Sequence, residues 1–198
     1  MKKILVAMAA VFACAVVHAE GSNWRFFAGL GIGNGGDTIT TGTVTTIGTN
    51  NPNHFEIKPG SGLQYRMGLD YRLASRLFLQ ASIGYSADDP MGMNGSLTFI
   101  TIPTEFLGFV GLTESLRIGG GVRNSSAEMK ASGLAAGWAG AGTYSSTPGG
   151  VVEAQYLGKV GAQGSQFGVS ARYVSESFSH NGVSFSGNHY EIGLVLYY

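Results

Sequence analysis

Charged side chains recur at every second position in several stretches of the chain, the spacing that places them on one face of a β-strand. The ionisable residues on this face are Arg25, Arg66, Asp70, Arg72, Arg117, Arg123, Glu153, Lys159, Arg172 and Glu191. Glu105 joins them if the strand bulges at Pro103, because proline cannot donate to a ladder. Unpaired buried charge is costly, so charges of both signs on one face favour a network of ion pairs. A gated ion path is the alternative, because glycines on that face leave space for water.

Metal and thiol chemistry have little support in the sequence. His54, His180 and His189 fall near one side of the expected fold, but no close spacing of His, Asp and Glu accompanies them. Cys14 is the only cysteine of the chain, and it lies in a segment that we expect to be removed. The mature chain would then have no thiolate and no disulfide, so we expect neither a metal nor a cofactor.

The charged face belongs to strands with a period of two. In residues 63–73 the face with Leu63, Tyr65 and Met67 alternates with a face of Gln64 and Arg66, which indicates a half-apolar strand. The fourth candidate strand has unclear parity, because two isoleucines compete for the apolar face. The eight candidate strands are residues 24–33, 63–73, 77–86, 97–111, 116–123, 152–160, 167–173 and 190–198.

The connections between these strands alternate in length, as in outer-membrane barrels. Short turns lie at 73–76, 112–115 and 161–165, and longer loops at 34–60, 87–96, 124–149 and 177–188. If the short turns are periplasmic, the aromatic residues form two interfacial levels on the apolar face. The level at the periplasmic ends comprises Trp24, Tyr71 and Tyr198, and the outer level comprises Tyr65, Tyr85, Tyr173 and Tyr190.

The amino-terminal segment predicts export. A basic start at residues 2–3, an apolar run at 4–17 and a small-residue site before Glu20 indicate a signal peptide, residues 1–19. The mature domain, residues 20–198, then has a net charge of about −2, which excludes the basic patch that nucleic-acid binding needs. The charged fraction of 12% is about half the usual quarter, as expected of a barrel whose outside meets lipid.

The last strand carries the most specific motif. Residues 191–198 read polar, any, Gly193, any, any, Leu196, any, Tyr198, which resembles the terminal β-signal recognised by the barrel-assembly machinery. With eight strands and long outer loops, residues 20–198 resemble the small OmpA-like and OmpX-like barrels. The resemblance implies an all-β, eight-stranded antiparallel transmembrane barrel in an up-and-down meander, monomeric in the outer membrane. No segment follows the last strand, so the peptidoglycan-binding domain of full-length OmpA proteins is not expected.

Three functions remain open for such a barrel. Some small barrels modify lipid A, and the deacylases among them have a His-x-Ser pair with a following Glu. His180, Ser184 and Glu191 do not meet that spacing, so we expect no enzyme. A narrow ion or small-solute channel is the second hypothesis. We favour a non-enzymatic envelope protein whose outer loops bind an unidentified surface partner or lipopolysaccharide, because residues 38–49 favour extended structure and 131–147 form an unusually apolar loop.

Overall fold

The computed structural model of the chain describes residues 23–45, 52–89, 91–92, 95–133, 135–161 and 164–198. The predicted signal peptide, residues 1–19, lies outside them. Within those ranges, no helix is long and apolar enough to cross a membrane. The strands are β1 (Trp24–Gly35), β2 (Thr40–Thr45), β3 (Pro52–Ile57), β4 (Gly62–Ala74), β5 (Leu77–Asp88), β6 (Met91–Gly92), β7 (Gly95–Gly111), β8 (Leu116–Gly133), β9 (Gly142–Leu157), β10 (Gln166–His180), β11 (Val183–Ser186) and β12 (His189–Tyr197).

Eight of the strands close into an antiparallel barrel. β1, β4, β5, β7, β8, β9, β10 and β12 pair in sequence order, and β12 pairs back onto β1 with Leu30 opposite Leu194. The predicted eight-stranded meander is therefore confirmed. Each of the eight strands of the ring has a hydrogen-bonded neighbour on both sides, which is the condition for placing strands in lipid.

The alternation of residue types decides which side chains face inwards. Between the two aromatic levels, the outward positions are mostly exposed leucine, isoleucine, valine and phenylalanine, whereas most of the ionisable and amide residues lie buried or partly buried in the bore. The two aromatic levels pair across neighbouring strands. Trp24 lies opposite Tyr71 with ring centres 4.5 Å apart, and Tyr173 lies opposite Tyr190 with ring centres 5.0 Å apart.

The expected bulge at Pro103 is absent. The register of β7 runs unshifted against β8 on both sides of Pro103, and against β5 it resumes in the same register after two missing pairs. Proline removes one donor there without adding a residue to the strand. Phe99, Pro103 and Glu105 all point inwards, so Ile100 and Ile102 take the outward parity that the sequence left undecided.

The long loop predicted at 124–149 is mostly strand. β8 continues to Gly133 and β9 begins at Gly142, and β10 likewise runs to His180 before a hairpin returns as β11. We call residues 95–100, 124–133, 142–149 and 175–180, together with β6 and β11, the protruding sheet. On β8, β9 and β10 the last outward apolar residues are Val122, Val152 and Tyr173. Beyond them the outward residues are polar apart from Pro148 and the glycines, so this sheet rises past the lipid-facing wall.

An apolar cap fills the inner side of the protruding sheet. Its buried residues are Ile57, Phe99, Ala127, Met129, Tyr144 and Phe178. Ile57 comes from the hairpin of β2 and β3, which confirms extended structure in part of 38–49, while residues 46–49 lie outside the described ranges. Trp138 packs against the cap from the segment between β8 and β9. That segment therefore folds over the mouth of the barrel.

Candidate functional site

In the half of the bore nearer the short turns, the polar contacts centre on Asp70, which is fully buried on β4. Arg25 donates to its Oδ2 at 2.6 Å, and Arg117 donates to its Oδ1 at 3.0 Å. Arg117 also donates to the hydroxyl of Tyr197 on β12 and to Oε1 of Gln155 at 2.8 Å. Strands from all around the ring therefore meet at one carboxylate and one phenol.

The middle of the bore holds a larger ionic network. Arg66 pairs with Glu153, and Arg172 donates to Glu105 at 2.6 Å and to Glu191 at 2.7 Å. The third arginine of this network is Arg123 on β8. It lies 3.0 Å from Glu105, 3.1 Å from Glu176 and 3.4 Å from Glu191. These side chains are all at least nine-tenths buried.

His189 borders this network. Its Nε2 lies 2.9 Å from Oε1 of Glu191, and its Nδ1 lies 2.6 Å from the carbonyl oxygen of Gly187. The imidazole ring is therefore held between the ionic network and the backbone beyond it.

The bore contains little open space. The cavity beside Gln64, Arg66 and Glu191 has a volume of about 20 Å³, which is room for about one water molecule. Leu107 and Val151 are buried in the bore as well, and the apolar cap closes its outer end. An eight-stranded barrel is just wide enough for its interior side chains, and here those side chains fill it.

Most of the predicted inward residues meet in these clusters, but two do not. Lys159 lies beyond the end of β9 and is exposed, since the strand stops at Leu157 rather than at 160. Arg72 is exposed at the end of the barrel that has the short turns, although it shares the inward parity of β4.

Sequence reasoning also missed two members of the bore. Glu176 falls outside the predicted end of its strand at 173, so it was not assigned to a face. Tyr197 has the inward parity of β12, and that alternation was a usable signal.

The residues considered for catalysis do not converge. The ring of His180 stacks on Tyr144 with ring centres 4.4 Å apart, and its Nδ1 lies 3.0 Å from the carbonyl oxygen of Thr143. Ser184 pairs with Ser179 at the exposed edge strand, while Glu191 is bound to Arg172 inside the bore. Among the residues that the structure describes, no three His, Cys, Asp or Glu side chains are grouped so that they could hold a metal.

Comparison with known proteins identifies the fold. No protein-family model matches the chain. No curated protein sequence matches it either. Among solved structures, neisserial surface protein A covers 89% of this chain and 96% of its own, with a TM-score of 0.54 at 10% identity. Ail, the attachment invasion locus protein of Yersinia pestis, solved with the heparin analogue sucrose octasulfate, covers 89% and 99% with a TM-score of 0.53 at 10% identity. The chain therefore has the fold of the small eight-stranded outer-membrane β-barrels.

Proposed function

We propose that this protein is a non-enzymatic outer-membrane envelope protein in which the barrel is a closed anchor and the protruding sheet binds a partner outside the cell. The observation that carries the proposal is the continuation of β8, β9 and β10 beyond Val122, Val152 and Tyr173 as paired strands. Binding surfaces are commonly carried by segments that a rigid scaffold positions. Here the scaffold itself extends outwards.

The outward face of the protruding sheet is rich in hydroxyl groups. Its exposed residues on the three central strands include Ser126, Glu128, Lys130, Thr143, Ser145, Thr147 and Ser175. The opposite face packs on the apolar cap, so the hydroxyl groups are held on a fixed surface rather than on a loop. Serine and threonine hydroxyls both donate and accept hydrogen bonds, which suits a neutral polar partner.

The charged residues at the outer end limit which kind of partner can bind there. The described aspartate, glutamate and lysine side chains there that lie outside the bore are Asp37, Glu56, Asp88, Asp89, Glu128, Lys58 and Lys130. Lys58 and Lys130 lie 2.6 Å and 3.5 Å from Glu56 and Glu128, and the five carboxylates outnumber the two lysines, so the charge of this surface opposes a polyanion. A sulfated ligand such as the one bound to Ail does not fit this surface. We therefore assign contact with lipopolysaccharide to the apolar barrel wall, and expect the surface partner to be neutral or cationic.

The packed bore is the reason to prefer an anchor over a channel. A conducting path needs a continuous water-filled route, whereas ion pairs and apolar side chains fill the bore of this barrel. Planar-bilayer recording of the refolded protein is expected to show no steps. Stable single-channel steps that persist after the protruding sheet is shortened would overturn the anchor and promote the channel. An altered mass of lipid A from expressing cells would instead promote the enzyme.

Binding by the outer end can be tested with displayed protein. Cells expressing the wild type are expected to adhere to immobilised neutral glycans or matrix proteins more than cells without it. The double variant Thr143→Arg/Ser145→Arg adds bulk to the outward face and should abolish the difference. Glu114→Arg changes the net charge by the same amount in a turn at the other end of the barrel and should have no effect. The proposal would be contradicted if, on every immobilised surface, wild-type cells adhered no more than cells that lack the protein.

Insertion and oligomeric state complete the proposal. We assign recognition by the barrel-assembly machinery to the carboxyl-terminal strand, residues 191–198. We expect a monomer, because the ring of eight strands satisfies its own edges without a second copy.

A further inference from the structure

The periplasmic mouth of the barrel contains a cavity of about 260 Å³ that the proposed outer binding surface does not use. Four arginines from separate places in the chain line it: Arg25 on β1, Arg72 on β4, Arg76 in the following turn, and Arg117 on β8. Phe78 lies among them, with its ring centre 5.7 Å from the guanidinium carbons of Arg25 and Arg72 and 5.2 Å from that of Arg117.

The charges in this cavity are not balanced by the protein. Asp70 is the carboxylate partner of both Arg25 and Arg117. Arg72 and Arg76 have no carboxylate partner in the described part of the chain, and both are exposed. Glu114 is the acidic residue on the lining, and Asp70 lies behind it against Arg25 and Arg117, so the four arginines leave an excess of about two positive charges.

Like charges gathered around one ring repel each other, so this arrangement favours an anion. Arginine forms paired hydrogen bonds with phosphate oxygens. The cavity also offers neutral donors, since Ser75, Thr113 and Gln166 belong to its lining. Leu116, Leu157 and Val160 add apolar contacts beside the polar groups. A phosphate group attached to a small organic body matches both parts of the lining.

We propose that the periplasmic mouth is a phosphate-binding site, with Arg72 and Arg76 as the residues that contact the ligand and Arg25 and Arg117 as the fixed charges behind them. The phosphate can come from a phospholipid headgroup of the surrounding leaflet or from a free phosphate ester of the periplasm. Both sources present the same group to the arginines. They differ in the acyl chains, which would lie against the barrel wall.

The test measures binding to the folded protein in an uncharged detergent. Glycerol 3-phosphate serves as the free phosphate ester, and a short-chain phosphatidylglycerol serves as the lipid. Saturable binding is expected to shift the side-chain Nε–H resonances of Arg72 and Arg76 in NMR spectra. Arg72→Gln/Arg76→Gln should weaken that binding by about tenfold or more, because each lost charge-assisted hydrogen bond is a strong one.

Lys159→Gln is the matched control. Lys159 is an exposed cation at the same end of the barrel, but it does not line the cavity, so its loss should leave the affinity unchanged. Binding of the lipid alone identifies a headgroup site, and binding of both probes identifies a site for free phosphate esters. No saturable binding of either probe, or equal binding by the double variant, would overturn the proposal. Adhesion through the protruding sheet should be unaffected by the double variant, so the two proposals can fail separately.

Discussion

Arg66 and Glu153 form a two-pronged ion pair across the full width of the barrel. The Nη1 and Nη2 atoms of Arg66 donate to Oε2 and Oε1 of Glu153 at 2.7 Å and 2.5 Å. Their strands, β4 and β9, are separated by three strands in either direction around the ring, so they face each other across the bore. The pair therefore ties opposite walls together at the level where a conducting path would have to pass.

Replacing Arg66 with leucine is expected to destabilise the barrel by about 3–5 kcal/mol, because it leaves the buried carboxylate of Glu153 without its main partner. Urea unfolding in detergent micelles, followed by tryptophan fluorescence, measures the change in the free energy of unfolding. The double variant Arg66→Leu/Glu153→Leu should cost less than the single variant, because it removes both charges. Costs that simply add in the double variant would show that the two side chains are not coupled.

Tyr197 and Tyr198 are adjacent but face opposite sides of the barrel wall. We therefore expect substitutions at Tyr197 to change stability and substitutions at Tyr198 to change membrane insertion. Tyr197→Phe removes a buried hydroxyl that accepts from Gln80 at 3.0 Å and donates to Gln155 at 2.8 Å. Leaving such partners unsatisfied costs about 1–3 kcal/mol, so this variant should assemble normally but unfold at lower urea.

Tyr198→Ser should behave in the opposite way. Tyr198 is 43% exposed, and its backbone bonds to Phe26, at 2.8 Å in both directions, do not need the ring. Its loss should reduce the amount of protein inserted into the outer membrane, measured by heat-modifiable gel migration, without weakening the barrels that do form. Normal insertion of Tyr198→Ser would remove the β-signal argument.

The sequence predicted the barrel because lipid outside and a polar bore inside enforce alternation over the whole length of a strand. It did not predict the protruding sheet, because beyond Val122 the two faces of the strand exchange their polarity. There the outward residues are serine, threonine and charged residues, and the inward ones, such as Ala127 and Met129, are apolar. That pattern resembles a soluble sheet, and the glycines and serines around it resemble a loop.

The candidate site was predictable only in part for a similar reason. Alternation with a period of two shows which face of the sheet a side chain occupies. It does not show how far along the barrel axis the side chain lies, or which strand it faces across the bore. Arg66 and Glu153 were therefore both placed inside, without being recognised as partners. Their meeting depends on the stagger between strands, which the ring sets as a whole.

Asp88 should make the outer end sensitive to pH. It lies at the outer end of β5 beyond Tyr85, outside the membrane-spanning part, and its Oδ2 accepts a hydrogen bond from the amide of Lys58 at 2.9 Å. Burial raises the pKa of Asp88, although that hydrogen bond opposes the change. Its contribution to local stability is therefore full in acid and is lost as the pH rises through the raised pKa.

Amide hydrogen exchange between about pH 3 and pH 7 measures this contribution as the protection factor of the Lys58 amide, taken relative to the intrinsic exchange rate. Asp88→Asn keeps an acceptor but cannot ionise, so the protection of the Lys58 amide in this variant should no longer fall as the pH rises, and it should exceed that of the wild type at neutral pH. A wild-type protection factor that rises through this range would contradict the assigned sign.

The apolar cap and the ionic bore should open independently. Ile57 is fully buried in the cap, so Ile57→Ala removes packing worth about 2–5 kcal/mol and should speed amide exchange in β3 and in the facing part of β10. Val183→Ala is the control, because Val183 is 55% exposed on the edge strand and its truncation should change little. Neither variant should conduct ions in planar bilayers, since Arg66, Glu153 and their neighbours still fill the bore below. Conductance in Ile57→Ala alone would show that the cap, rather than the ionic network, is what closes this barrel.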